Sequence, residues 1–255
     1  SSSAFNSKYD NALSGVMQFE QKSGNKRKMS GNFRLGASES AITINSPLFK
    51  GKREESNTGI IVSVRRSYLQ FLFELIGLPI RPDYWDYQYK LDHKINDYNY
   101  IFLLGIGSID DFYLDGSGEL DNKTRAVLEQ SPFINQRTNT IGLTWKNILK
   151  SGKGFMESTV SNNMLENDFV RYRNNTTKQG VLFSNNSSEV ETQARYTFTF
   201  FNNNWKFNWG LNAKQIRYKN ETQTNSGIGN YQTDINFFKY GLFFNSTRSF
   251  FKERF

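Results

Sequence analysis

Residues 58–112 read TGIIVSVRRSYLQFLFELIGLPIRPDYWDYQYKLDHKINDYNYIFLLGIGSIDDF. The stretch divides into a strand, a loop with one helical turn (LQFLFELIGL, stopped by Gly77 and Pro79), a strand, a tight turn and a strand. The middle strand, 83–94, alternates sharply. Trp85, Tyr87, Tyr89, Leu91 and His93 fall on one face, and Tyr84, Asp86, Gln88, Lys90 and Asp92 on the other. Period two marks extended chain with one apolar and one wet face. A face this dense in rings needs a partner layer, made either of protein or of lipid.

The same alternation recurs outward from this stretch. Short strands are expected at 29–35 and 41–46, then at 59–66 with Ile60, Val62 and Val64 on one face. After 83–94 come 99–115, with Tyr100, Phe102, Leu104 and Ile106 on one face, and 138–149, with Ile141, Leu143 and Trp145. Strand 154–173 is ragged in its alternation. Strand 187–201 sets Ala194, Tyr196, Phe198 and Phe200 against Arg195, Thr197 and Thr199. Strand 205–220 sets Trp205, Phe207, Trp209, Leu211 and Ala213 against Lys206, Asn208, Gly210, Asn212 and Lys214. Strand 233–248 closes the series with Phe238, Tyr240, Leu242 and Phe244. That is about ten strands, longer than the roughly 5–6 residues usual in soluble sheets. Long polar loops at 67–82, 116–137 (with a short helix at 123–130), 174–186 and 221–231 alternate with short turns at 95–98, 150–153 and 202–204. Outer-membrane barrels sort their connections this way, with short turns on one rim and long loops on the other.

Composition agrees. Among 255 residues, 23 are Phe and 13 Tyr, yet the mean hydropathy is only −0.64. No apolar run reaches the roughly 18 residues of a membrane helix, and 71–80 carries Glu74. Barrel strands show lipid only every second residue and so look polar on average. With no cysteine and one histidine, disulfide scaffolds, thiolate metal sites and His clusters are excluded. The net charge of +8 is scattered, with nothing denser than Lys26–Lys28 or Arg65–Arg66, so no nucleic-acid partner is expected.

Chemical motifs are sparse. Gly105-Ile-Gly107 lacks a third glycine in register and a following helix, so it is not a dinucleotide loop. The acidic run Asp110, Asp111, Asp115, Glu119, Asp121 misses EF-hand spacing and reads as a solvated loop. Asp83 and Asp86 lie among cations and tyrosines, which does not suit an acid–base dyad. His93 sits on the aromatic face, as an interface residue rather than a base. Sequons at Asn122, Asn175 and Asn220 are expected by chance in Asn-rich loops. No catalysis and no cofactor are expected.

Ser14-Gly15-Val16-Met17-Gln18-Phe19, Gly31-Asn32-Phe33, Ser63-Val64-Arg65-Arg66-Ser67-Tyr68-Leu69 and Pro82-Asp83-Tyr84-Trp85-Asp86-Tyr87-Gln88-Tyr89-Lys90 together resemble TonB-dependent outer-membrane receptors. The subgroup is one that usually carries a carboxypeptidase-regulatory-like N-terminal domain. In that family an SGV-like plug strand leads into the barrel, an RRSYLD-like segment ends the third strand, and a YDYQ-like one follows in the fourth. Here Gln70 stands in place of the Asp.

The resemblance implies an all-β, antiparallel transmembrane β-barrel, about ten strands of a 22-stranded one. Residues 1–28 would be the tail of the plug domain and its linker, and 29–255 the first part of the barrel wall. The chain starts SSS without an initiator Met or a signal peptide and reads as a mature product or part of a longer chain. Phe255 ends a ring-rich strand like an insertion signal, but the family continues past this point. The implied role is active uptake of a scarce, bulky nutrient across the bacterial outer membrane. Implied partners are outer-membrane lipid, a TonB-type energy-transducing protein reached through a region N-terminal to this one, a surface lipoprotein, and the rest of the barrel.

Trp85, Tyr87, Tyr89, Leu91, Tyr100, Phe102, Leu104, Trp145, Tyr196, Phe198, Phe207, Trp209, Phe238 and Tyr240 are the expected membrane-facing residues. Lys206, Asn208, Asn212, Asp86 and Lys90 are the candidates for lining the ligand's path. The alternatives are a self-contained small barrel (porin or adhesin) and a soluble all-β glycan-binding module.

Overall fold

The computed structural model describes residues 7–9, 16–49, 54–116, 121–225 and 229–249. Ten strands carry the chain: β1 (Ser30–Leu35), β2 (Glu39–Leu48), β3 (Thr58–Ser67), β4 (Ile80–Asn96), β5 (Asn99–Leu114), β6 (Phe133–Ile148), β7 (Gly154–Asn174), β8 (Gln179–Asn202), β9 (Trp205–Thr224) and β10 (Tyr231–Arg248). Among the described residues two helices interrupt them, α1 (Leu69–Leu75) and α2 (Asn122–Gln130). Each strand pairs antiparallel with its sequence neighbours in one ten-stranded meander. β1 and β10 each keep one unpaired edge, so the sheet is open, as a part of a barrel would be.

Local chemistry sets the tight turns. Asn96 Oδ1 accepts from the backbone N–H groups of Tyr98 and Asn99, closing the β4–β5 turn. Asn203 takes the left-handed conformation (φ 50°) in the two-residue β8–β9 connection, a conformation that Asn tolerates best among residues bearing a Cβ. Two expectations fail here. The polar stretch 174–186 is not a long loop: β7 and β8 run to 21 and 24 residues and leave only 175–178 between them. Backbone pairing ignores side-chain polarity, and Asn185 Nδ2 donates to Thr222 Oγ1 across the β8–β9 ladder at 2.7 Å. Val16–Glu20, where the resemblance implies the end of a plug strand, forms no strand, and Met17 and Phe19 lie exposed.

Residues opposed in an antiparallel pair share a face, so the register sorts every side chain. One apolar row runs Ile60, Leu91, Leu103, Leu143, Val160, Ala194, Ala213, Tyr240 across β3–β10. The polar face carries a row Asp92, Phe102, Thr144, Thr159, Arg195, Asn212, Gly241. Trp85, Tyr87, Tyr89, Leu91, Trp145, Tyr196, Phe198, Phe207, Trp209, Phe238 and Tyr240 all share the first face.

Tyr100, Phe102 and Leu104 do not, and the expectation is corrected for them. They oppose Lys94, Asp92 and Lys90 on the polar face. β5 is apolar on both sides, so alternation alone gives it no direction. Ile101, Leu103 and Ile109 are its residues on the apolar face.

No second sheet packs on either face among the described residues. Among the described residues, the buried hydrophobic side chains are Leu128, Phe133 and Phe243. The chain exposes 17307 Å², whereas a compact protein of this mass, 29.6 kDa, exposes roughly 11,600 Å². Trp85, Trp145, Trp209, Leu211 and Phe244 stand partly exposed, and Leu242 is 87% exposed.

Candidate functional site

The polar face offers three groups of side chains. The first lies where β1–β4 meet the rim that carries α1. Glu39 accepts from Arg34 at 3.3 Å and from Arg65 at 3.1 Å, and Arg65 Nε donates to Asp86 at 2.6 Å. The Arg65 guanidinium also lies 5.5 Å from the Tyr84 ring centre. A cleft of about 480 Å³ runs beside this network, past Gln88, Ser108 and Thr138. Arg66, one position on, faces the other way, onto Asp83 at 2.9 Å and the Trp85 ring. Asp83 and Asp86 are therefore separated by the sheet, each held by its own arginine. Ser67 is fully buried and its Oγ accepts from Leu69 N at the start of α1. The Tyr68 hydroxyl donates to Gly36 O across the β1–β2 turn. The RRSY segment thus ties the end of β3 to three neighbouring elements.

The second group seats the N-terminal segment. Gly24 N donates to buried Asp92 Oδ2 at 3.0 Å, Lys90 Nζ donates to Gln21 O at 2.7 Å, and Lys26 Nζ pairs with Asp92 at 3.5 Å. Gly24 lies directly on Gly59: a Cβ at Gly24 would stand 2.3 Å from the Gly59 carbonyl carbon. Asn25 N is held by Asn45 Oδ1. Residues 21–26 therefore cross the polar face of β2–β4 and not the apolar one.

The third group is on β8–β10. Asn208 Nδ2 donates to Thr199 at 2.7 Å, Lys214 pairs with Glu191 at 3.4 Å, and Asn212 is buried. All five proposed path residues share the polar face, but they do not form one site: Asp86 and Lys90 belong to β4, and Lys206, Asn208 and Asn212 to β9. Asp86 and Lys90 are already occupied by Arg65 and Gln21. Lys206 stands at the rim, its Nζ 6.0 Å from the Phe201 ring centre. Sequence reading missed Gly24, Gly59, Gln193 and Arg195. The glycine contact has no signal in one sequence. Arg195 does, as a charge inside an alternating aromatic strand.

The weighed motifs resolve as structure. Gly105 and Gly107 lie under the rings of Tyr89 and Tyr87. His93 Nδ1 hydrogen-bonds Thr58 Oγ1 at 2.8 Å. Of the acidic run, Asp110 accepts from Ser108, Asp115 pairs with Arg81, and Asp121 caps α2 through Thr124 N at 2.7 Å. A hydrogen bond from the Thr124 side chain, and after it this cap bond, lower the Asp121 pKa. Glu119 lies outside the described residues, as do Ser14, Gly15 and Phe255. Asn175 Nδ2 is spent on the carbonyls of Leu128 and Ser131, tying the end of α2 to the β7–β8 turn.

No family model and no curated protein matches the sequence. Among solved structures, the copper transporter OprC is similar in fold. Its TM-score is 0.62 at 12% identity, over 90% of this chain and 36% of that one. The chain thus spans about a third of that structure and shares its strand architecture.

Proposed function

We propose that the chain forms part of the wall of a TonB-dependent outer-membrane receptor that takes up a scarce, bulky nutrient. The observation carrying this reading is the single-layer sheet with one continuous, exposed aromatic face and one polar face. Lipid is the layer that suits the first face, and a watery lumen the second. On β9 the apolar positions run from Trp205 to Ala213, about 26 Å along the strand, which at the tilt of barrel strands covers about 20 Å of the roughly 25 Å apolar band of outer-membrane barrels.

Residues 21–26 on the polar face take the place of a plug tail inside the lumen. The rim with α1 and α2 then faces outside, where the ligand is first met. Energy enters through the inner membrane, and no catalysis is involved. A self-contained small barrel is disfavoured by the unpaired edges of β1 and β10, and a soluble glycan module by the apolar face left uncovered among the described residues.

Membrane fractionation and ligand-uptake assays with and without a functional TonB system test the reading. The protein should fractionate with the outer membrane, and uptake should stop when TonB is removed. Recovery in the soluble fraction would sink it.

A further inference from the structure

On the polar face, cations are mostly matched. Arg34 and Arg65 have Glu39 and Asp86, Lys146 has Glu157, Lys26 has Asp92, and Lys90 has a backbone carbonyl. β8–β10 are different. Gln193 and Arg195 follow each other on this face of β8, and the register sets Lys214 opposite Gln193, Asn212 opposite Arg195, and Lys239 beyond Lys214. Glu191 is the one carboxylate paired here, with Lys214. Lys239 lies over the Phe237 ring at 5.4 Å.

Two neighbouring donors, Arg195 Nε and Gln193 Nε2, are buried with no hydrogen-bond partner among the described residues. Orphaned buried donors are rare, and a pair of them side by side points to a shared acceptor. Guanidinium and ammonium groups only donate, so that acceptor is rich in lone pairs. Gly241 seats one of the amides: a Cβ there would meet Asn212 Oδ1 at 2.6 Å, so the bare backbone at 241 is what lets Asn212 lie beside Arg195.

We propose that Gln193, Arg195, Asn212, Lys214 and Lys239 form an oxyanion subsite that takes a carboxylate or phosphate group of the transported ligand. The proposal rests on the polar face being the lumen wall. Arg195 supplies the planar fork that matches an oxyanion, Gln193 and Asn212 add amide donors, and the lysines set the field.

Calorimetric titration of the native protein in detergent with citrate and with inorganic phosphate tests it. One of these probes should bind, and more weakly as salt is raised. Arg195→Gln should weaken that binding about tenfold or more, as expected for a lost charge-assisted bond. Lys239→Gln, at an exposed position that cannot unfold the sheet, should weaken it as well, and Lys150→Gln in the β6–β7 turn should not. The proposal is overturned if neither probe binds, or if both subsite variants bind like the native protein. A carboxylate of the protein's own chain found on Arg195 in a crystal structure of the native protein would also overturn it. Failure of both probes to bind the native protein, with outer-membrane location and TonB-dependent uptake intact, rejects the subsite alone. Absence from the outer membrane rejects the transport reading.

Discussion

Gly105 and Gly107 are placed by tyrosines. A Cβ at Gly105 would stand 2.2 Å from Tyr89 Cζ, and one at Gly107 2.5 Å from the Tyr87 hydroxyl. The Tyr87 ring crosses β5 at Gly107 and its hydroxyl donates to Asn139 Oδ1 on β6 at 2.8 Å. A ring lying over a strand glycine restores the packing which that glycine lacks. Gly105→Ala should therefore destabilise the sheet by about 1–3 kcal/mol through overpacking against the Tyr89 ring. Most of that loss should vanish in a Tyr89→Ala background, as read by urea unfolding in lipid vesicles. An unchanged penalty in the double variant would mean that the ring is not the cause.

These glycines also show what one sequence holds at this scale. Their failure as a nucleotide loop was legible. Their role was not, because it depends on which β4 residue stands opposite. The same ignorance put Tyr100, Phe102 and Leu104 on the wrong face, since β5 is apolar on both. Asp121 gives a residue-scale test with a sign. Its carboxylate caps α2, and hydrogen bonds from the Thr124 side chain and backbone N–H hold its pKa below the ordinary value. The cap therefore contributes fully above the ordinary carboxylate range and is lost as pH falls through the lowered value. Limited proteolysis at 122–130 should accelerate in that acid window in the native protein, and show no such step in Asp121→Asn.

At the scale of elements, existence was easier to read than extent. Alternation of rings and polar residues located the strands, and Gly77 and Pro79 marked where α1 stops. The stretch 174–186 misled because Asn, Thr and Ser favour turns when nothing else holds them. Here neighbouring strands hold them, and the register continues from Ser187–Asn220 to Phe183–Thr224. Hydrogen exchange separates the two readings. Backbone amides of 183–187 that bond into β9 should be protected, as those of a solvated loop would not be. Fast exchange throughout 181–187 would restore the loop. α2 owes its seat to Asn175, whose amide reaches the Leu128 and Ser131 carbonyls. A sequon pattern held that asparagine in plain view without revealing its use.

For the whole molecule, the decisive property is the solvent that each face requires. Leu211 and Asn212 are neighbours on β9, yet Leu211 opposes Tyr196 on the apolar face and Asn212 opposes Arg195 on the polar one. In water, an arginine at the exposed Leu211 position would cost little and improve solubility. In a bilayer, the same change puts a charge against hydrocarbon and costs about 2–4 kcal/mol near the midplane. Lys214, also on the polar face, already carries a charge two positions further along β9. Replacing Lys214 with Gln should therefore leave the bilayer-inserted state nearly as stable, apart from the partly exposed pair with Glu191. Comparing Leu211→Arg with Lys214→Gln by reversible unfolding in lipid vesicles discriminates between the solvents. A large penalty confined to Leu211→Arg is the membrane outcome. A Leu211→Arg protein as stable as wild type would mean that this aromatic face meets water or another protein, and the barrel wall with its lumen would have to be given up.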